Sequence, residues 1–165
     1  MATQTLISVD EYLHTVYEHD CEYVHGEVVE RGMPTENHSR TQTHFIEEAF
    51  LLRQRGFDVH ARAELRNRLE PTLFRIPDVA YYIGRPNKQV PDMPPLAAIE
   101  IKSPDDRRSR LLEKLAEYRA WGVKYIWFAD PEERKFFVYD GELHEVEEYS
   151  IPEIGLRLTR EQIFD

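Results

Sequence analysis

The sequence predicts an α/β protein in which helices pack on a mixed β-sheet. Two long segments, about 36–55 and about 105–121, carry apolar residues at helical spacing, and short runs rich in β-branched and aromatic residues surround them. Such a succession is typical of helices layered on a sheet. No repeat, linker or break in composition divides the 165 residues, so we expect one domain over 1–165.

The first elements are a short helix, a hairpin and a long helix. Ser8 and Glu11 form a capping box ahead of apolar residues at helical spacing. His25-Gly26 suits a tight turn inside the run 22–31, which predicts a β-hairpin. The helix over about 36–55 ends at Gly56, a natural C-terminal cap.

The second half of the chain alternates strands with one further helix. Three short extended runs within 57–83 are expected to be strands of one sheet, and a proline-rich loop then leads to a buried central strand over 96–101. Asp105 or Asp106 is expected to cap the helix that ends at Gly122. Further strands are predicted in the remaining segments, at 124–129, 135–139 and 142–149.

Composition and charge exclude several classes of protein. One cysteine allows no internal disulfide, and no zinc-binding spacing is present. No segment resembles a secretory leader or approaches the roughly 18 apolar residues of a membrane span, so we expect a cytoplasmic protein without a membrane partner. The net charge of −10 argues against a protein that coats nucleic acid. Residues 51–124 nevertheless hold 15 of the 21 Lys and Arg residues, although ordinary solvated charges are an alternative explanation.

Two short motifs have the residue types that metal-dependent phosphodiester hydrolysis requires. Pro77-Asp78 lies within the predicted strand over 74–83, and Glu100-Ile101-Lys102 ends the neighbouring predicted strand. Asp78, Glu100 and the Ile101 backbone carbonyl are hard oxygen donors suited to Mg²⁺, with Mn²⁺ as a substitute. Side chains alternate along a strand, so Lys102 is expected on the side of Glu100, where it can activate water or stabilise the transition state.

Each motif alone has a simpler explanation. A Glu-x-Lys tripeptide is usually a charged pair at the end of a strand, and Pro-Asp usually begins a turn or an edge strand. What distinguishes Glu100 and Lys102 is that they end an apolar run, where charges are costly unless they are paired or bind metal.

The order of the motifs resembles the Uma2 family of restriction-type endonucleases, a branch of the PD-(D/E)XK nuclease superfamily, from about Ser8 to Tyr149. The matching segments, in chain order, are 21–28, 34–38, 76–80, 98–104, 114–118 and 122–131. His25-Gly26-Glu27 departs from the Asp-Gly-Glu usual in the family, so no role is carried over to His25.

The resemblance implies a restriction-endonuclease-like core and the activity of a metal-dependent endonuclease. It implies that Asp78 and Glu100 bind the metal, that Lys102 is the catalytic cation, and that DNA is the substrate, with RNA as an open alternative. A non-catalytic binding or regulatory module that retains the nuclease fold is the rival function, and the net charge favours it.

Four further residues are candidates for a supporting role. His38 opens the first long helix and can face the metal or a phosphate, or else lie at the surface. Glu27 can approach the metal, although a surface position is the alternative. Lys114 and Tyr118 share a helix face and can point to the scissile phosphate together, unless Tyr118 is core and Lys114 merely extends past it to solvent.

Two surfaces are candidates for contact with partners. Arg107, Arg108 and Arg110 follow the turn after Lys102 and can contact the DNA backbone. A homodimer would allow both DNA strands to be cut, and the aromatic strand 136–139 can pair between copies or belong to the core.

Overall fold

Four helices and twelve strands make up the protein in a computed structural model, which describes residues 5–165. The helices are α1 (Val9–His14), α2 (Glu36–Gln54), α3 (Arg108–Trp121) and α4 (Arg160–Phe164), with a 3₁₀ turn at Pro152–Ile154. The strands are β1 (Cys21–Val24), β2 (Glu27–Glu30), β3 (Val59–Ala63), β4 (Asn67–Glu70), β5 (Leu73–Arg75), β6 (Val79–Ile83), β7 (Ala97–Ile101), β8 (Tyr125–Asp130), β9 (Lys135–Tyr139), β10 (Leu143–Val146), β11 (Glu148–Ile151) and β12 (Leu156–Thr159). The predicted α/β fold with a mixed sheet is confirmed.

The central sheet has six strands in the order β10-β9-β8-β7-β6-β3. Strands β7 and β8 are parallel, whereas every other neighbouring pair in this sheet is antiparallel. A parallel pair needs a crossover connection, which α3 provides. Because Val79 pairs with Ile99, Asp78 reaches the level of Glu100 on the neighbouring strand.

A second sheet has four strands in the order β2-β1-β5-β4. The expectation that the strands within 57–83 share one sheet is therefore wrong, since β3 and β6 belong to the central sheet and β4 and β5 to the second. The chain passes from β5 to β6 through Ile76-Pro77-Asp78. Pro77 has no N–H to donate to a ladder, which favours the change of sheet there.

The two faces of β7 contact different elements. Ile99 and Ile101 belong to the apolar cluster that includes Phe45 of α2. Ala98 belongs to another cluster, with Leu115 and Tyr118 of α3. Side chains alternate along a strand, so Glu100 faces α3 together with Ala98. This alternation determines which side chains Glu100 can reach.

Most of the local predictions are confirmed. The Ser8 hydroxyl caps α1 by accepting from the Glu11 N–H at 3.1 Å, and His25 and Gly26 have the positive φ angles of a tight turn. The expected cap of α3 is wrong. Arg107 precedes the helix without a side-chain cap, because the Asp106 carboxylate accepts from the Ser103 N–H at 2.7 Å and so closes the preceding turn.

The segment predicted as one strand over 142–149 forms two strands in different sheets. Strand β10 extends the central sheet, and β11 pairs with β12 in a separate hairpin. Strand β9 lies between β8 and β10, and Phe136 within it is fully buried. The aromatic strand therefore belongs to the core. Across residues 5–165, the helices are all too short or too polar to cross a membrane.

Tyr149 of β11 packs against the central sheet and is fully buried. Its ring stacks on Trp127, with ring centroids 4.2 Å apart, and on Phe136 at 4.1 Å. Its hydroxyl donates to the Phe128 carbonyl at 2.6 Å and accepts from the Phe137 N–H at 3.2 Å. Tyr149 thus joins the C-terminal hairpin to two strands of the sheet.

We expect Tyr149→Phe to lower the free energy of unfolding by about 1–2 kcal/mol, because two buried backbone groups lose a hydrogen-bond partner. The measurement is urea denaturation followed by tryptophan fluorescence. Tyr139→Phe is the matched control: Tyr139 is half-buried, and its hydroxyl has no hydrogen-bond partner among residues 5–165. Equal losses in the two variants would contradict the assigned role of the Tyr149 hydroxyl.

Candidate active site

The Asp78 carboxylate lies immediately before β6 and is buried. Its Oδ2 atom accepts from the Ile101 N–H at 2.7 Å, and its backbone carbonyl accepts from the Gln42 side chain of α2 at 2.8 Å. These bonds attach Asp78 both to the end of β7 and to α2. The orientation of its carboxylate is consequently fixed.

The other carboxylate oxygen of Asp78, Oδ1, meets the side chains of Arg31 and His38. The Arg31 guanidinium donates to it, and His38 Nε2 lies 3.3 Å away. Burial alone would raise the pKa of Asp78, but the hydrogen bond from His38 and the positive charge of Arg31 outweigh it and lower the pKa from 3.8 to about 2. The Asp78 carboxylate is therefore ionised at neutral pH.

Glu100 has the opposite electrostatic environment. Its Oε1 atom accepts from the Tyr118 hydroxyl at 2.7 Å and lies 3.0 Å from Lys114 Nζ. Burial raises the pKa of Glu100 from 4.5 to about 7, and the nearby carboxylates of Asp78 and Glu22 add to this effect, although Lys114 opposes it. Glu100 thus changes its charge near neutral pH, whereas Asp78 does not.

Lys114 connects Glu100 to a second buried carboxylate. Its Nζ atom lies 2.7 Å from Glu22 Oε1 and donates to the Ile76 carbonyl at 3.2 Å. Burial alone would lower the pKa of Lys114, but the charges of Glu100 and Glu22 outweigh it and raise the pKa. Lys114 is therefore a buried cation at the Glu100 carboxylate.

The sequence did not identify Glu22 as a member of this group. Its carboxylate accepts from the Ile76 N–H at 2.8 Å and pairs with Arg75 at 3.0 Å, and Arg75 pairs in turn with Glu117 at 2.6 Å. Arg75 therefore belongs to an internal network of ion pairs. A charged residue within the short strand β1 is a weak signal, because its partners come from two distant segments, residues 75–76 and α3.

Lys102 lies away from this group. Lys102 follows Ile101, the last residue of β7, and its N–H still donates to the Ala129 carbonyl of β8 at 2.9 Å, so alternation alone does not determine where its side chain lies. Its Nζ atom pairs with Asp130 at 2.9 Å, and its side chain is partly exposed. Lys102 also does not border the cavity that contains Asp78 and Glu100.

That cavity has a volume of about 460 Å³ and opens between the second sheet and the start of α3. The other predicted residues that border it are Glu27, His38, Ile101, Arg107, Arg110 and Lys114. Arg108 is exposed and lies outside this border, and Tyr118 is buried behind Glu100. The lining has nine Asp and Glu residues against five Lys and Arg residues, so it attracts cations.

Two carboxylates at the cavity, Asp78 and Glu100, can contribute hard oxygen ligands to a divalent cation. Within residues 5–165, no three or more His, Cys, Asp or Glu side chains are arranged to hold a metal ion. This donor set fits Mg²⁺, which usually takes one or two carboxylates and completes its coordination with water and substrate oxygens.

The raised pKa of Glu100 predicts a pH-dependent stability in the metal-free protein. The unfolded chain releases the Glu100 proton near pH 4.5 and the folded protein near pH 7, so the folded state loses stability as the pH rises between these values. Glu100→Gln cannot lose this proton. We subtract the free energy of unfolding of wild type from that of Glu100→Gln. We expect this difference to rise by on the order of 3 kcal/mol between pH 4.5 and pH 8.

Urea denaturation in EDTA at several pH values measures this shift. The control is Glu161→Gln, which removes an exposed acid in α4. If the free energies of unfolding of wild type and Glu100→Gln change equally with pH, Glu100 does not have the raised pKa.

Comparison with known proteins supports the fold and reveals the family. The chain superimposes on the crystal structure of a putative nuclease belonging to DUF820 from Anabaena variabilis with a TM-score of 0.83. The match covers 96% of this chain and 97% of that chain, at 23% sequence identity. The expected restriction-endonuclease-like core is thus confirmed at the level of the fold.

No curated protein matches the chain. A family model described as "Uma2: Putative restriction endonuclease" matches residues 9–165, which is nearly the whole length. The chain therefore belongs to the Uma2 family of putative restriction endonucleases.

Proposed function

We propose that this protein is a divalent-metal-dependent endonuclease that hydrolyses phosphodiester bonds in DNA. The observation that carries the proposal is the convergence of Asp78, Glu100 and Lys114 at one cavity, with Lys114 Nζ 3.0 Å from the Glu100 carboxylate. Two carboxylates and a cation are the groups that metal-assisted hydrolysis of a phosphodiester requires. Membership of the Uma2 family supports the same reaction class.

Asp78, Glu100 and the Ile101 carbonyl would hold the metal, which we expect to be Mg²⁺ with Mn²⁺ as a substitute. When bound, the cation supplies positive charge to the phosphate and lowers the pKa of the attacking water. The Ile101 N–H orients Asp78, and the Tyr118 hydroxyl orients Glu100. Both carboxylates are therefore held in place before substrate arrives, which reduces the reorganisation needed during the reaction.

The catalytic cation in this proposal is Lys114. The Glu22 carboxylate and the Ile76 carbonyl hold its ammonium group beside Glu100, where negative charge develops on the phosphate. Lys102 has the expected spacing in the sequence, but its pairing with Asp130 takes it away from this point. Arg107 and Arg110 border the cavity and are suited to contact the DNA backbone.

A non-catalytic module with the same fold is the rival function. The observation that favours it is that Arg31 and Lys114 already neutralise the two carboxylates without a metal. Such a module would use these ion pairs as internal structure. It would show no Mn²⁺ binding that depends on Asp78 and Glu100.

We expect Asp78→Asn and Glu100→Gln each to reduce metal-dependent DNA cleavage by about 10³-fold, because a catalytic metal supplies several kcal/mol of transition-state stabilisation. The measurement is cleavage of supercoiled, linear duplex and single-stranded DNA, and of RNA, with Mg²⁺ or Mn²⁺. Asp92→Asn, which removes an exposed carboxylate from the proline-rich loop, is the control. Wild type that cleaves none of these substrates would refute the proposal.

A second cleavage experiment distinguishes the roles of Lys114 and Lys102. Lys114→Met is expected to lower the cleavage rate by about 10²–10³-fold, whereas Lys102→Met should stay within about threefold of wild type. Both variants remove one positive charge and keep an unbranched side chain. The rate constants are measured with saturating Mn²⁺, after circular dichroism has confirmed folding. A greater loss in Lys102→Met would return the catalytic role to Lys102.

A further inference from the structure

Arg31 lies at the exit of β2 with its side chain directed at Asp78. Its backbone N–H donates to the Asp20 carbonyl at 3.0 Å, which fixes the start of the side chain. The guanidinium donates to Asp78 Oδ1 and lies 3.4 Å from a carboxylate oxygen of Glu64. A carboxylate oxygen of Asp20 is 3.9 Å away. Arg31 is thus surrounded by three carboxylates at the border of the cavity.

The Asp78 oxygen that Arg31 contacts is the one through which we expect the proposed metal to bind. Asp78 Oδ2 is bonded to the Ile101 N–H, so Oδ1 is the oxygen on the side of Arg31 and His38, both of which border the cavity. Arg31 donates to Oδ1 and His38 Nε2 lies 3.3 Å from it, so both side chains crowd this oxygen. A cation that binds Oδ1 must therefore displace one of the two.

Arg31 is the partner that can move. His38 is buried in the first turn of α2, with only 4% of its surface exposed. Arg31 has a long side chain, and Gly32 next to it has open space where a Cβ would lie. Glu64 is held beside Asp78, because the Glu64 N–H donates to the Asp78 carbonyl at 3.3 Å. A displaced guanidinium therefore remains near the cavity.

The charge of the cavity gives the displaced guanidinium a function. The lining has an excess of four carboxylates over Lys and Arg side chains, which opposes the entry of a phosphate group. Neutralising Asp78 with a divalent cation removes the strongest anionic partner of Arg31. A planar guanidinium then suits two oxygens of a phosphodiester.

We propose that Arg31 changes partner during the reaction cycle: it holds Asp78 in the metal-free protein and binds a phosphate of the DNA once a divalent cation occupies Asp78. This inference rests on the proposed function, since it assumes that Asp78 is a metal ligand. Arg31 thereby couples the two binding events. It keeps the carboxylate neutralised before the metal arrives, and it becomes available to substrate only afterwards.

Mn²⁺ calorimetry without nucleic acid tests the first half of the proposal. Arg31→Ala is expected to bind Mn²⁺ about tenfold more tightly than wild type, because the cation no longer has to displace a guanidinium. Arg31→Lys keeps the charge but loses the planar guanidinium, so its Mn²⁺ affinity should lie between those of wild type and Arg31→Ala. This variant replaces Arg31→Ala in the titration if Arg31→Ala does not fold. Arg157→Ala is the matched control, since it removes one exposed arginine from β12.

Asp78→Asn in the same titration distinguishes a failure of the metal site from a failure of the proposed role of Arg31. If it binds Mn²⁺ as well as wild type does, the metal site in the proposed function fails. If it abolishes binding while Arg31→Ala has the affinity of Arg157→Ala, only the role of Arg31 is overturned.

The second half is tested with a fluorescent DNA duplex, by anisotropy in Ca²⁺ and in EDTA over a range of salt concentrations. In Ca²⁺, Arg31→Ala should bind the duplex about tenfold more weakly than wild type, with a salt slope smaller by about 0.9, the value for one phosphate contact. In EDTA the two proteins should bind equally, because Arg31 is then engaged with Asp78. Equal losses in both conditions, or no loss in Ca²⁺, would overturn the exchange of partners.

Discussion

The candidate site depends on the buried ammonium group of Lys114 lying between the carboxylates of Glu22 and Glu100. A buried charge is costly unless it is paired and hydrogen-bonded, and removing one member of such a group leaves its partner uncompensated. Here the pairing joins three elements that are distant in sequence: β1 of the second sheet, β7 of the central sheet and α3. The same interaction thus fixes the relative position of both sheets and the helix, and leaves a cation at the inner wall of the cavity.

The two proposed metal ligands differ in charge because their surroundings differ. Arg31 and His38 keep Asp78 ionised, whereas burial and the carboxylates of Asp78 and Glu22 raise the pKa of Glu100, which shares Lys114 with Glu22. Burial alone raises the pKa of Glu22, but Lys114 and Arg75 outweigh it and lower the pKa. Glu22 therefore acts as the permanent anion that anchors Lys114, and Glu100 becomes the group whose charge is adjustable near neutral pH. Perturbed pKa values of opposite sign are typical of sites built for chemistry.

The acidic character of the chain is compatible with a nucleic-acid substrate if cations enter the site first. The cavity attracts cations through its excess of carboxylates, and Arg107 and Arg110 lie at the same border. Arg31 fits this order of events, because its strongest partner is the carboxylate that a divalent cation would neutralise. The proposed reaction then requires a modest number of phosphate contacts, unlike the binding mode of a protein that coats nucleic acid.

The sequence by itself determined the local elements and the motifs within them. Capping at Ser8, the turn at His25-Gly26 and the end of α3 at Gly122 depend on neighbouring residues alone, and they are present in the structure. The sequence pattern also predicted that Asp78 and Glu100 lie on neighbouring strands. Only the tertiary structure shows which lysine meets Glu100: Lys102 pairs with Asp130, whereas Lys114 approaches Glu100 from a separate helix. Glu22 and Arg31 escaped detection for the same reason: their partners are supplied by chain segments far away in sequence, and no local periodicity encodes such contacts.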